Sequence, residues 1–98
     1  MPYQSGIRAA AEADIQEAYE YYEQCREGLG ADFLLCIEES LNKITNNPGH
    51  YPVVYKNIQR ILVKRFPFGI FFVIHEQSIV VLAVMHGRRN PRRWKMRV

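Results

Sequence analysis

Apolar positions follow two different periods along this chain. From Ala9 to Glu27 the spacing is helical: Ile15, Ala18, Tyr19 and Tyr22 stand at i, i+3, i+4 and i+7, with no Gly or Pro between them. Alanine and glutamate, both good helix formers, fill most of the rest. Glu12, Glu17, Glu20 and Glu23 fall off that stripe and are expected to be solvated. Gly28-Leu29-Gly30 then punctuates the chain. A second helix is predicted from Ala31 to Asn46, with Phe33, Ile37, Leu41 and Ile44 as its stripe and Asn46-Asn47-Pro48-Gly49 as its stop. So short a break folds the two helices back on each other as an antiparallel hairpin.

After Ile58 the period drops to two. Ile58 to Phe66 alternates, placing Ile61 and Val63 on one face and Arg60, Leu62 and Lys64 on the other. Pro67 interrupts the ladder. Phe68 to Glu76 is almost wholly apolar, which suits a central strand covered on both faces. Glu76-Gln77-Ser78 makes a tight link into Ile79 to His86, completing an antiparallel meander. Tyr3 to Arg8 reads as a short first strand, weakened by Gly6. The order β-α-α-β-β-β predicts an α+β fold: a helical hairpin packed on one face of a mostly antiparallel sheet, the other face partly open.

Length and composition fit this picture. Ninety-eight residues, 48% hydrophobic and 23% charged, predict a single globular domain over residues 1–98, with no linker or repeat. The longest uncharged apolar run, Phe66 to Ile74, is far short of the roughly 20 residues a membrane span needs. The N-terminus has no signal-peptide pattern, so a cytoplasmic location is expected. Cys25 and Cys36 are expected to remain thiols. Neither they nor His50, His75 and His86 show metal-ligand spacing, and no metal or other cofactor is expected.

Charge changes the picture more. Residues 1–39 carry nine acids against two bases, whereas residues 40–98 carry eleven bases against Glu76 alone. Six of those bases (Arg88, Arg89, Arg92, Arg93, Lys95 and Arg97) crowd the last eleven residues around Trp94. Such a segment is either a solvated tail or a surface for an acidic partner, and Trp94 tips the balance towards binding.

Four stretches together resemble the RelE/ParE superfamily of toxins from bacterial type II toxin–antitoxin systems, over essentially the whole chain after Arg8. They are Ala11-Glu12-Ala13-Asp14-Ile15 with Tyr21-Tyr22; Asn47-Pro48; Arg60 through Phe66-Pro67-Phe68; and Val84-Met85-His86-Gly87-Arg88-Arg89-Asn90-Pro91 leading to Trp94. The resemblance implies a small toxin neutralised in a hetero-oligomer by a cognate antitoxin. RelE-like members cut mRNA on the ribosome, whereas ParE-like members bind and poison DNA gyrase without chemistry of their own. Arg60…Phe66-Pro67-Phe68 and His86-Gly87-Arg88-Arg89 look closer to ParE. Of the paired lysines on this strand of RelE, the matching positions here are Arg60 and Leu62, so one base is kept. An arginine on the next strand falls near Gly69, and Trp94 stands where a stacking tyrosine would. Ser5-Gly6-Ile7-Arg8-Ala9 is less strand-like than the family's first strand.

The expected roles follow. Arg88, Arg89, Arg92 and Trp94 are the candidates for contact with the target. Arg60 and Lys64, which are equally well read as protective edge-strand charges, are candidates for the antitoxin-covered face. Phe71 is a third candidate there, as an exposed aromatic. On the nuclease alternative, His86 would act as general base on a ribose 2′-OH, Arg88 or Arg89 would stabilise the phosphorane, and Arg60 would grip an RNA phosphate. A third alternative is a non-toxic partner of an antitoxin.

Overall fold

The computed structural model describes residues 3–98. Within them strand β1 spans Gln4–Ile7, helix α1 Ala9–Cys25 and helix α2 Leu29–Asn46. Strands β2 (Val53–Tyr55), β3 (Ile58–Leu62), β4 (Phe68–His75) and β5 (Ser78–His86) follow, then a one-turn helix α3 at Arg92–Lys95. One sheet holds all five strands in the order β1-β5-β4-β3-β2. β1 runs parallel to β5, and every other pairing is antiparallel. The α+β architecture is therefore as expected from the sequence. β2 is an addition: three residues are too few to display a period.

Helices α1 and α2 pack on one face of this sheet. Ala11, Ala18, Phe33, Ile37 and Ile44 meet Ile61, Ile70, Phe72, Ile79 and Val81 in the larger core. Gly28 joins the helices at φ 88, in the left-handed region that side chains resist. Helix α2 begins at Leu29, two residues earlier than the pattern predicts, because Glu23 reaches across the hairpin. Its two oxygens accept the N–H groups of Gly28 (3.0 Å) and Gly30 (2.9 Å). Those are among the orphan donors of a helix start, so Glu23 is a cap and not a solvated surface charge. Gly30 lets the helices approach: a Cβ there would lie 2.8 Å from the Tyr19 ring.

The other face is more closed than the sequence suggests. Ile58, Phe71, Leu82, Ala83, Met85 and Trp94 form a second core, with Trp94 supplied by α3. β5 feeds both cores through a bulge. Phe72 pairs with Val81 and Phe71 with Ala83, leaving Leu82 as an extra residue. Ile79 and Val81 precede it on the helix side; Leu82 and Ala83 both turn to the second face; Val84 returns to the helices. β3 ends at Leu62, short of the predicted Phe66. Arg65 takes a left-handed φ of 74, and Val63 and Phe66 fold inward on either side of an exposed Lys64. Lys64 therefore lies off the strand and does not share a strand face with Arg60. Among the described residues no helix is long and apolar enough to cross a membrane.

Candidate functional site

The basic C-terminal segment is folded, and its folding decides which of its residues remain available. Asn90 Oδ1 accepts the Arg92 N–H at 3.0 Å and starts α3. A helix this short has no stability of its own, so tertiary contacts hold it. The Trp94 indole lies on the Phe71 ring with centroids 4.3 Å apart and planes 17° from parallel. Tyr55 closes from the side at 6.4 Å, and the Lys95 ammonium sits 4.8 Å from the Tyr55 ring centre. Trp94 is 7% exposed and Phe71 5%. The expected exposed aromatic at Phe71 is thus corrected: the residue is on the predicted face, but Trp94 covers it. Trp94, expected to reach a target, spends its surface inside the chain.

Arg97 provides the second anchor. Its guanidinium grips both carboxylate oxygens of Asp14 on α1, Nη2 to Oδ1 at 3.2 Å, while Nη1 also donates to the Leu82 carbonyl at 3.2 Å. Asp14 Oδ2 in turn accepts the Val84 N–H at 3.0 Å. A bidentate, charge-assisted pair is among the stronger polar contacts a small protein makes. Nothing in the pattern of the sequence signals it, since the partners lie 83 residues apart.

Between α1 and the end of β5 lies a groove of about 410 Å³. Ala18, Tyr21, Tyr22 and Phe68 give it apolar walls; Val84, Met85 and His86 line it from β5, and Arg89 and Arg93 reach it from the C-terminal segment. Burial, then the neighbouring Tyr21 and Cys25, pushes the Tyr22 hydroxyl above its ordinary pKa. Arg89 is paired with Glu17 at 3.5 Å. The His86 ring meets Phe68 edge to face at 5.5 Å, and its Nδ1 accepts the Arg88 N–H at 3.0 Å. An accepting Nδ1 leaves the proton of the neutral ring on Nε2.

Arg60 is elsewhere. It stands opposite Phe71, and its stem lies over Gly69, where a Cβ would come within 3.2 Å of the Arg60 Cδ. Its Nε is buried without a hydrogen-bond partner. Arg60 and Phe71, as cross-strand partners, share the second face of the sheet. His86 is the cross-strand partner of Phe68, whose ring packs into the helix-side core against Tyr22 and Phe33. The four residues of the nuclease expectation therefore do not converge: Arg60 is on one face, His86 and Arg89 border the groove on the other, and Arg88 is exposed. Of the expected target contacts, Arg88, Arg89 and Arg92 are exposed and Trp94 is not. Asp14, Glu23 and Arg97, together with Gln59, which ties β3 to the carbonyls of Pro48 (2.8 Å) and Tyr51 (2.9 Å), organise the molecule without having been singled out.

The arrangement has close counterparts. The family profile described as "ParE toxin of type II toxin-antitoxin system, parDE" matches residues 7–91. Toxin ParE2 of Mycobacterium tuberculosis is 23% identical over 86 residues, covering 87% of this chain and 82% of the relative. Among solved structures, the chromosomal ParDE toxin–antitoxin system from P. aeruginosa superposes with a TM-score of 0.77 at 16% identity, over 86% of this chain and 95% of that one. The toxin–antitoxin complex RelBE2 from Mycobacterium tuberculosis does so with a TM-score of 0.63 at 14% identity, over 88% and 99% of the respective chains. Structural likeness at that identity speaks for the fold; the profile, which spans most of the chain, speaks for descent. The chain belongs to the ParE toxin family of type II toxin–antitoxin systems.

Proposed function

We propose that this chain acts in the cytoplasm as the toxin of its pair by binding and inhibiting DNA gyrase, without chemistry of its own, and that a cognate antitoxin silences it in a hetero-oligomer. The observation that carries the non-catalytic reading is the placement of Arg60 and His86 on opposite faces of the sheet. One scissile phosphodiester cannot be reached by both. The hydrogen bond from Arg88 N–H to His86 Nδ1 supports it further: a ring that accepts there presents a donor, not a base, at its other nitrogen. Arg88 and Arg92 are exposed and in no ion pair among the described residues. They form the face offered to an acidic protein surface.

The test is to induce the chain alone, map cellular mRNA 5′ ends within minutes, and follow with a gyrase supercoiling assay on purified protein. Arrested growth, intact messages and lost supercoiling are expected. Fresh 5′ ends inside translated codons would instead identify an mRNA endonuclease working on the ribosome. Cells that keep growing would point to a non-toxic partner of an antitoxin.

A further inference from the structure

The end of the sheet away from the β4–β5 turn leaves an apolar surface in the open. Leu62 is 68% exposed although it belongs to β3 and pairs with Gly69. It borders a second hollow of about 310 Å³, lined by Leu62, Val63, Phe66, Pro67, Phe68 and Gly87. Among the described residues no charged side chain lines this hollow, unlike the groove beside α1, where Asp14, Glu17, Arg89 and Arg93 all take part. Hydrogen bonds from the Val63 N–H to the Phe68 carbonyl (2.9 Å) and from the Gly87 N–H to the Pro67 carbonyl (2.8 Å) hold its walls. Gly87 has no positive φ, and a Cβ there would meet only the Pro67 carbonyl oxygen, at an ordinary 3.7 Å. Neither strain nor crowding calls for glycine at this position; its missing side chain leaves the hollow open.

Charge around the hollow is mostly of one sign. Lys64 and Arg65 stand in the loop between two lining residues and Arg88 follows a third, all three exposed. Asp32 on α2 is the acid beside them, 3.9 Å from Arg65 and 3.9 Å from Arg26. Lys64 and Arg88 are in no ion pair among the described residues. Arg60 leans the same way. Gly69, opposite Leu62, has no side chain, and the Arg60 stem crosses it 3.2 Å from where a Cβ would be. The Arg60 Nε is buried without a hydrogen-bond partner, and its guanidinium is in no ion pair among the described residues. A charged group left in that state is costly in the free chain and gains from a carboxylate brought to it.

We infer that this surface is where the chain grips gyrase: an apolar side chain of the target enters the hollow against Leu62, and a carboxylate beside it pairs with the Arg60 guanidinium. The inference rests on the gyrase reading above and supplies its contact residues. Leucine next to arginine favours a protein over a nucleic acid. A run of phosphates calls for a second base at the Leu62 position, whereas an apolar patch around an arginine has the composition of a protein interface core. Lys64 and Arg88 form the polar rim and steer an acidic surface towards it.

The full chain and four single variants would be compared in a gyrase supercoiling assay and in thermal melts. Leu62→Ser removes a wall of the hollow and Gly87→Leu fills it. Each is expected to raise the concentration for half-inhibition about tenfold or more, with Tm within about 4 °C of the parent. Arg60→Met should weaken inhibition similarly and leave the fold at least as stable, because the orphaned Nε goes with the guanidinium. Leu35→Ser, at a comparably exposed leucine on α2 (63%), should inhibit like the parent. A parent that inhibits while Leu62→Ser inhibits equally well would overturn the inference and leave the gyrase reading standing. An equal loss in Leu35→Ser would overturn it too, by showing that any exposed leucine serves. A parent that leaves supercoiling intact would remove the gyrase reading and this inference with it.

Discussion

Replacing Trp94 by alanine separates the two roles its position allows. If the indole were a surface contact for a target, its loss would leave the free protein as stable as before. As placed, it fills the second core. A buried tryptophan removes roughly 150–250 Å² from water, which at about 25 cal/mol per Å² is about 4–6 kcal/mol as an upper bound. Helix α3 is four residues long and near the chain end, so part of the cavity can collapse after truncation. The expected loss therefore sits at the low end of aromatic-to-alanine costs, about 3 kcal/mol. For a domain of this size that lowers Tm by on the order of 12–24 °C. The measurement is urea unfolding followed by circular dichroism, because the variant has no tryptophan left to fluoresce. Arg92→Ala, in the same turn but exposed, should stay within about 0.5 kcal/mol of the parent. A Trp94→Ala variant within about 1 kcal/mol of the parent would refute the packing argument. The result also governs how truncations are read. A chain cut before Arg92 loses the cover of Phe71, so its inactivity would report a damaged core before it reported a missing contact.

Three other outcomes follow from particular contacts. Gly30→Ala raises intrinsic helix propensity yet drives a methyl to 2.8 Å from the Tyr19 ring and 2.9 Å from Glu23 Oε1, so it should destabilise by about 1–3 kcal/mol in a thermal melt. A rise in Tm would mean that the hairpin can spread at no cost. For Asp14 and Arg97, a double-mutant cycle with alanine at each position should give a coupling of about 1.5–3 kcal/mol, and a value near zero would make the clasp incidental. The raised pKa of Tyr22 means that the folded state holds this proton more tightly than the unfolded chain does, so its contribution is intact below the ordinary tyrosine pKa and is lost as pH climbs through the folded value. Tyr22→Phe should flatten the alkaline side of the stability–pH curve, and an unchanged slope would assign that loss to other groups.

The sequence made some parts legible because they obey a local period. The stripes Ile15-Ala18-Tyr19-Tyr22 and Phe33-Ile37-Leu41-Ile44, and the alternation around Ile61, each repeat often enough to fix an element and its buried side. Ends were less legible. β3 stops at Leu62 and not Phe66 because Arg65 turns left-handed, a choice made by the loop and not by the alternation, which Val63 continues. Helix α2 starts early because a glutamate on another helix caps it. Of the candidate site, the exposed arginines were legible as charge. The covered state of Phe71 was not, because its cover comes from a tryptophan 23 residues further on whose own direction depends on Arg97 and Asp14. A bulge such as Leu82 is likewise silent in a run where every residue is apolar.

That bulge is what converts a plain sheet edge into a differentiated surface. Without the extra residue, strict alternation would carry the facing of Ile79 and Val81 onward through Ala83 and Met85, and would turn Val84 and His86 to the second face. The register shift instead brings Val84 back to the helix side and turns its N–H to Asp14, while Ala83 and Met85 help to floor the second core beneath Trp94. The acidic first half and basic second half of the chain meet there as well: Asp14 with Arg97, and Glu17 with Arg89. Part of the charge asymmetry is therefore consumed in closing the C-terminal segment onto α1. A partner sees a smaller set, Arg88, Arg92 and Arg93, arranged beside a groove whose apolar walls carry Asp14, Glu17 and His86 as well. Tail charge counted from the sequence therefore overstates what electrostatics offers a partner, because Arg89 and Arg97 are already spent on Glu17 and Asp14.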